Sequence, residues 1–295
     1  MSIQPGEFAS SSLIGDRKIN QDRCVRVTDS DGNAILLGLG DGMGGHPRGE
    51  TAAQVLIDTC TSYFNRTPHP ILNPGSFLTR LLHKAHENIV AFGYEQRPAI
   101  DPRTTAVACL IQKSVAHWAH AGDSRLYLLR EHRVLARTID HSYVERLKQQ
   151  GVITARQQKN HPQRNYVTRC LGGALVSPDI TLGKHKLEAG DILLLCSDGL
   201  WGSISETDLL NTLFSRLPLA DAVQALAEQA AHNAFPDSDN ITLIALRMQH
   251  QDQESASTTA QDKQEPTEES NLAQAIAELQ NAISNFETEI KQDKE

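Results

Sequence analysis

Ala34-Ile-Leu-Leu-Gly-Leu-Gly-Asp41-Gly-Met-Gly-Gly-His46 is an apolar run of strand length that stops at a carboxylate and enters a glycine-rich loop. The run has the length and composition of a buried β-strand. Gly42, Gly44 and Gly45 let the backbone after it approach a neighbour closely. No Lys-Ser/Thr pair follows, so the loop is not a nucleotide-binding P-loop. The same design recurs along the chain. Val115-Ala-His-Trp-Ala-His-Ala121 leads to Asp123-Ser124 and returns in Leu126–Leu129. Ile192–Cys196 leads to Asp198-Gly199, and Asp239-Asn240 opens Ile241–Arg247.

Helical spacing falls between these runs. Ala52, Val55, Leu56, Thr59 and Tyr63 mark one helix. Phe77, Leu78, Leu81, Leu82, Ala85, Ile89 and Phe92 mark a longer second one, and Glu206–Phe214 and Leu219–Ala234 mark two more. Strict βαβ alternation is absent, which predicts an α+β fold with antiparallel sheets. Any single Asp-Gly or Asp-Ser reads as turn chemistry. Four strand-end carboxylates brought to one edge would instead repel one another and raise each other's pKa values. Oxygen ligands without clustered His or Cys suit hard cations, Mg²⁺ or Mn²⁺. The twelve histidines show no HExxH spacing, which speaks against zinc.

The 295 residues carry a net charge of −8, distributed unevenly. Eleven of the 36 acids and three of the 28 bases lie in residues 251–295, leaving 25 of each in residues 1–250. A neutral body and acidic tail do not suit a general nucleic-acid binder. No apolar run is long enough to span a membrane, and the N-terminus lacks a secretory pattern. The cysteines Cys24, Cys60, Cys109, Cys170 and Cys196 are scattered and never spaced CxxC, so they read as reduced thiols of a cytoplasmic protein. Residues 251–270 hold no aromatic or large aliphatic side chain and read as a disordered acidic linker. Leu272, Ile276, Leu279, Ile283, Phe286 and Ile290 then set a heptad stripe, so residues 271–295 read as an amphipathic helix. Such a stripe serves self-association, docking to a partner, or packing back on residues 1–250.

In order, the motifs Gly15-Asp-Arg17-Lys-Ile-Asn-Gln21-Asp22, Asp41-Gly-Met-Gly-Gly45, Arg103-Thr-Thr105, Gly122-Asp-Ser-Arg125, Asp140-His-Ser142, Thr168-Arg-Cys-Leu-Gly172, Ser197-Asp-Gly-Leu-Trp201 and Asp239-Asn-Ile-Thr242 resemble those of the bacterial metal-dependent protein phosphatases, the PPM or protein phosphatase 2C family. His161-Pro-Gln-Arg-Asn165 joins that pattern, which runs from about Ser12 to Leu246. The resemblance implies a sandwich of two antiparallel β-sheets flanked by pairs of α-helices, filling a catalytic domain at residues 1–250. It implies two Mg²⁺ or Mn²⁺ ions, with a third in many members, and hydrolysis of phosphoserine and phosphothreonine in proteins by a water bridging two ions. By the same resemblance Asp41 bridges both metals, the Gly42 carbonyl contacts one, and Asp198 and Asp239 hold the other. Asp123 corresponds to the ligand of the weaker third ion, Asp22 supports the cluster, and Arg17 grips the substrate phosphate. Arg17 and Asp41 are thus the expected catalytic residues. The partners implied are phosphorylated proteins and a cognate Ser/Thr kinase, with neither nucleic acid nor membrane.

Two departures stand out. Gln21 occupies a position where family members often have Glu, and it brings no charge. Met43 occupies the position of a His proposed as proton donor in eukaryotic members, and Met cannot donate a proton; the general acid is unassigned, with metal-bound water the default and His141 a second candidate. Ser142–Tyr166 resembles the flap beside the site, and its Arg146, Lys148, Arg156, Lys159 and Arg164 are placed to meet acidic substrates or to form a solvated surface. A pseudo-phosphatase and a small-phosphomonoester hydrolase are the competing readings, the first disfavoured because Arg17 and all five aspartates are present.

Overall fold

The computed structural model describes residues 3–173 and 177–250. The sequence-predicted linker 251–270 and helix 271–295 lie outside the described residues.

Twelve strands and seven helices follow one another among the described residues. The chain opens with β1 (Ile3–Leu13), β2 (Asp22–Thr28) and β3 (Ala34–Asp41). Two long helices, α1 (Gly49–Arg66) and α2 (Pro74–Glu95), separate these from β4 (Arg103–Thr104), β5 (Ala106–Gln112), β6 (Val115–Ala121), β7 (Arg125–Arg130) and β8 (Arg133–Arg137). Short helices α3 (Tyr143–Gln149) and α4 (Ala155–Lys159) precede β9 (Leu171–Gly172), β10 (Thr181–Lys186) and β11 (Ile192–Cys196). The helices α5 (Asp198–Trp201), α6 (Glu206–Leu213) and α7 (Leu219–Ala234) lead into β12 (Ile241–His250). One antiparallel sheet has the order β1-β12-β11-β7-β8 and the other β10-β6-β5-β3-β2, with β4 and β9 forming a separate pair.

The two sheets stack face to face. Ile35, Leu37, Leu39, Val107, Cys109 and Ile111 of one sheet meet Leu126, Leu128, Leu193, Leu195, Ile244 and Leu246 of the other. The alternate residues of β3 and β5, among them Leu36, Ala108 and Leu110, face α1 and α2 through Leu56, Leu78, Leu81 and Leu82. Leu194, Cys196, Leu243 and Ala245 face α6 and α7 in the same way. Central strands are therefore covered on both sides, which is why Ala34–Gly40 is buried throughout and reads as a continuous apolar run. Helix starts follow their local chemistry. Asn73 accepts from the Ser76 N–H at 3.0 Å with Pro74 in the first turn of α2, and the Ser205 side chain caps α6.

All four helices predicted from spacing are present, as are the four aspartate-flanked strands. The edge strand β1 carries Gln-Pro-Gly-Glu and three serines and has little strand character of its own. Its pairing with β12 creates it, with a bulge between Pro5 and Phe8. All five cysteines are free.

Candidate active site

Antiparallel register first brings two acids together: Asp22 at the start of β2 stands opposite Asp41 at the end of β3. The Asp41 strand end is then fixed to its neighbour. The Asp41 N–H donates to Thr105 Oγ1 at 3.0 Å, and its carbonyl accepts from the Thr105 N–H at 2.8 Å and from Thr104 Oγ1 at 2.9 Å. Thr105 Oγ1 also lies 2.7 Å from Ser124 Oγ, tying the Asp41 strand to the loop of Asp123. Asp198 opens α5 directly after β11, and Asp239 precedes β12, the strand beside β11 in the other sheet. Strand ends of both sheets thus deliver carboxylates to one end of the sandwich.

Gly42 packs against the start of α1; a Cβ there would fall 2.4 Å from the Gly49 backbone, so only glycine lets the loop turn at this point. The Gln21 side chain lies along the same loop; a Cβ at Gly44 or Gly49 would fall 3.1 or 2.8 Å from it. Its backbone N–H donates to Asn240 Oδ1 at 2.8 Å. Asn240 Nδ2 in turn donates to the carbonyls of Ile14 (2.8 Å) and Ile19 (3.1 Å), clamping the segment that carries Arg17 onto the Asp239 loop. Arg17 Nη2 meets Asp239 Oδ2 at 2.8 Å, and Asp239 Oδ1 accepts from the Asn240 N–H.

Crowded carboxylates leave a clear electrostatic signature. Burial, followed by the charges of Asp22, Asp198, Asp123 and Asp239, holds the Asp41 carboxyl well above the usual carboxylate range. Asp22 is pushed up to about 7, chiefly by burial and against the hydrogen bonds of Ser197 and Thr242. Asp198 rises to about 6, through burial and then the neighbouring Asp239, and it shares a hydrogen bond with Asp41. Asp123 is raised by burial, Asp198 and Asp140. Ser197 Oγ donates to Asp22 Oδ2 at 2.7 Å, while Asp22 Oδ1 is buried with no hydrogen-bond partner among the described residues. An orphaned buried carboxylate oxygen beside three other carboxyls with raised pKa values is a site short of positive charge. The donor set is entirely oxygen, which fits hard divalent cations. As the side chains lie, no three His, Cys, Asp or Glu among the described residues form a ready cation cage. Asp198 is bonded to Asp41, and Asp239 is turned to Arg17.

Around Asp123 lies a network that motif reading did not assign. Trp201 Nε1 donates to the Asp123 carbonyl at 2.9 Å, and the Trp201 ring stacks under the Arg125 guanidinium at 3.7 Å. Arg125 forks onto Asp140 at 2.8 and 2.7 Å. All three lie inside quoted motifs, Gly122–Arg125, Asp140–Ser142 and Ser197–Trp201, so polar residues left without a role there were the available signal.

His141 does not serve as the proton donor that Met43 lacks. Met43 carries no proton, and its N–H is spent on the Arg103 carbonyl at 3.0 Å. His141 is buried, stacked on His120 at 4.4 Å, and accepts at Nδ1 from the Gly122 N–H. Burial, then His120 and Arg169, push its pKa down to about 3, so it stays neutral and serves the packing. In the flap, Arg146 lies over Tyr143 and Lys148 pairs with Glu145, whereas Arg156, Lys159 and Arg164 are exposed.

Residues 11–237 match the family model described as Protein phosphatase 2C. The serine/threonine protein phosphatase PstP of Mycobacterium tuberculosis is 34% identical over 227 residues, 75% of this chain. The chain spans only 42% of that relative's length. The protein phosphatase PhpP of Streptococcus pneumoniae is 32% identical over 251 residues, covering 84% of this chain and 100% of the relative. The crystal structure of the PstP catalytic domain with two manganese ions superposes with a TM-score of 0.71 at 28% identity, over 84% of this chain and 100% of that one. With the two-sheet sandwich and the aspartate-lined strand ends already in place, these matches show that the chain belongs to the protein phosphatase 2C family.

Proposed function

We propose that this protein is a Mg²⁺- or Mn²⁺-dependent phosphatase of phosphoserine and phosphothreonine in proteins. One observation carries the reading: five aspartates from strand ends of both sheets and from the loop after β6 are delivered to one end of the sandwich beside an exposed arginine, and burial and mutual repulsion raise the pKa values of four of them. Asp41, Asp198 and Asp239 with the Gly42 carbonyl would hold two ions, Asp123 a third, and Asp22 would orient the cluster through Ser197. When bound, such ions supply an acidified water as nucleophile and neutralise phosphoryl charge.

The chain's own residues do the rest. Arg17 offers a planar fork that matches two phosphoryl oxygens, and it reaches them by exchanging Asp239 for the substrate. That exchange is cheap because both side chains are largely solvated, at 56% and 38% exposure. The Asn240 clamp keeps Arg17 in range while the ion pair opens. Met43 and the neutral, buried His141 do not serve as general acid, and with the aspartates ionised around cations the departing serine or threonine oxygen takes its proton from water.

Similar bacterial proteins are named as a serine/threonine protein phosphatase, PstP, and a protein phosphatase, PhpP, which supports a role opposing a Ser/Thr kinase in the cytoplasm. No helix among the described residues is long and apolar enough to cross a membrane. Residues 1–250 form the catalytic domain in this reading, and the heptad stripe Leu272–Ile290 serves self-association or partner docking. Removing residues 251–295 tests that division: turnover is retained and solution mass or partner binding changes, whereas an inactive, unfolded truncate refutes it. The deciding measurement for the activity is phosphate release from a phosphothreonine peptide with Mn²⁺, with Mg²⁺ and with excess EDTA. Release that EDTA abolishes supports the reading, and no release from folded, metal-supplied protein overturns it.

A further inference from the structure

A cavity of about 660 Å³ lies between the C-terminal turn of α2, the segment 99–103 and the chain on either side of β9. Cavities of a few hundred Å³ and more commonly hold ligands. We infer that this cavity is a subsite for the polypeptide flanking the phosphorylated residue, and that it takes an apolar side chain of the substrate; this rests on the phosphatase reading above.

Position comes first. The cavity lies two steps from each of two aspartate loops. On one side, Gly42 bridges Thr104, and β4 pairs with β9, so two strand steps separate the Asp41 loop from the chain beneath the cavity. Two steps of about 4.8 Å make about 10 Å, which an extended peptide covers in about three residues. The Arg103 carbonyl that accepts the Met43 N–H belongs to the same wall. On the other side, Arg169 Nη1 stands 3.4 Å from His141, whose ring receives the N–H of Gly122, the residue before Asp123.

Charge then selects the occupant. The lining holds two guanidinium groups, but each already has a carboxylate. Arg103 meets Asp101 at 2.6 Å and Arg169 meets Asp179 at 2.8 Å. Arg103 and Arg169 are balanced by Asp101 and Asp179 in the same lining, so no surplus positive charge draws a second phosphate or an acidic side chain, and the apolar walls decide the occupant. The walls are set by Tyr94, Ile100, Pro102 and Pro178, and Tyr94 is 61% exposed at the rim. Gly173, at φ +82°, lets the chain pass flat beneath the Arg103 guanidinium, only 3.4 Å from where a Cβ would sit. An aliphatic or aromatic side chain finds apolar contact here, and the remaining guanidinium N–H groups can donate to peptide carbonyls.

The test compares two substrates on the same enzyme. Tyr94→Ala removes the rim and Ala99→Trp fills the cavity; both residues are exposed, so neither change empties the core. The probes are p-nitrophenyl phosphate, which has no flanking residues, and alanine-rich phosphothreonine peptides in which one leucine is moved through the three positions on either side. The wild type should prefer one leucine position by about tenfold in kcat/KM, mainly through KM. Both variants should lose that preference while hydrolysing p-nitrophenyl phosphate as the wild type does. A leucine preference that survives in both variants, or no preference in the wild type, overturns the subsite. Loss of p-nitrophenyl phosphate turnover in both folded variants also overturns it, since the effect would then lie at the reacting phosphate. A wild type inactive on every substrate would fail the phosphatase reading itself, and the subsite with it.

Discussion

Two arginine–aspartate pairs flank the same cluster at nearly the same distance and do opposite work. Arg17 meets Asp239 at 2.8 Å with side chains 56% and 38% exposed. Arg125 meets Asp140 at 2.7 Å with side chains 11% and 3% exposed, gripped at two points and stacked on Trp201. Separation does not distinguish them; water does. The solvated pair contributes little to stability and costs little to open. The buried pair, once formed, cannot lose a partner without stranding a charge away from water. One is therefore suited to gripping something that comes and goes, and the other to holding the Asp123 loop in place.

The sharpest way to break this contrast is at the carboxylates themselves. Asp198→Asn and Asp239→Asn should each lower metal-dependent turnover by roughly 10³-fold or more, with the fold kept. Steady-state kinetics with Mn²⁺, alongside circular dichroism, check this; a variant within tenfold of wild type would remove that residue from the site. Next in size is the buried pair. Arg125→Ala should cost about 3–5 kcal/mol in denaturant unfolding, because Asp140 is left buried and unpaired. Arg17→Ala should cost less than about 1 kcal/mol of stability, yet reduce kcat/KM for phosphopeptide about a hundredfold. Similar stability losses at Arg17 and Arg125 would erase the distinction drawn here.

The smallest effect is a pH dependence. Asp22 at about 7 and Asp198 at about 6 keep protons in the folded chain that the unfolded chain, with carboxyls near 3.8, has released. The folded state then binds more protons between about pH 4 and about pH 7, so these groups make metal-free protein less stable as pH rises through that window. His141, with its pKa at about 3, acts in the opposite sense: its contribution is lost as pH falls below its ordinary 6.5. The difference in melting temperature with and without saturating Mn²⁺ cancels the histidine and isolates the cluster. It should grow from pH 5 to pH 7, because cation binding needs the carboxylates ionised; a flat difference would separate the cluster from the metal.

The comparison also marks where sequence reading stopped. Asp41, Asp198 and Asp239 were legible because each stands at the end or start of an apolar run, and strand, turn and acid are all local features. Eight ordered motifs then identified the family, Arg17 and Asp22 included. Arg125, Asp140 and Trp201 lay inside those same motifs without an assigned function, since their partnership joins residues up to 76 positions apart. His141 was mistaken in kind, because composition does not reveal that a ring will be buried against another histidine and fed an N–H at Nδ1.

By itself, then, the order of residues determined four of the seven described helices, the aspartate-flanked strands and the family, all of which rest on short-range pattern, whereas the buried central strand β5 was not read from it. Only tertiary structure decided that β1 is a strand, that Arg17 is shared between Asp239 and solvent, and which arginine is locked and which is free. Burial and register are properties of the packed chain, and the same Arg–Asp contact changes its role when water is taken from around it.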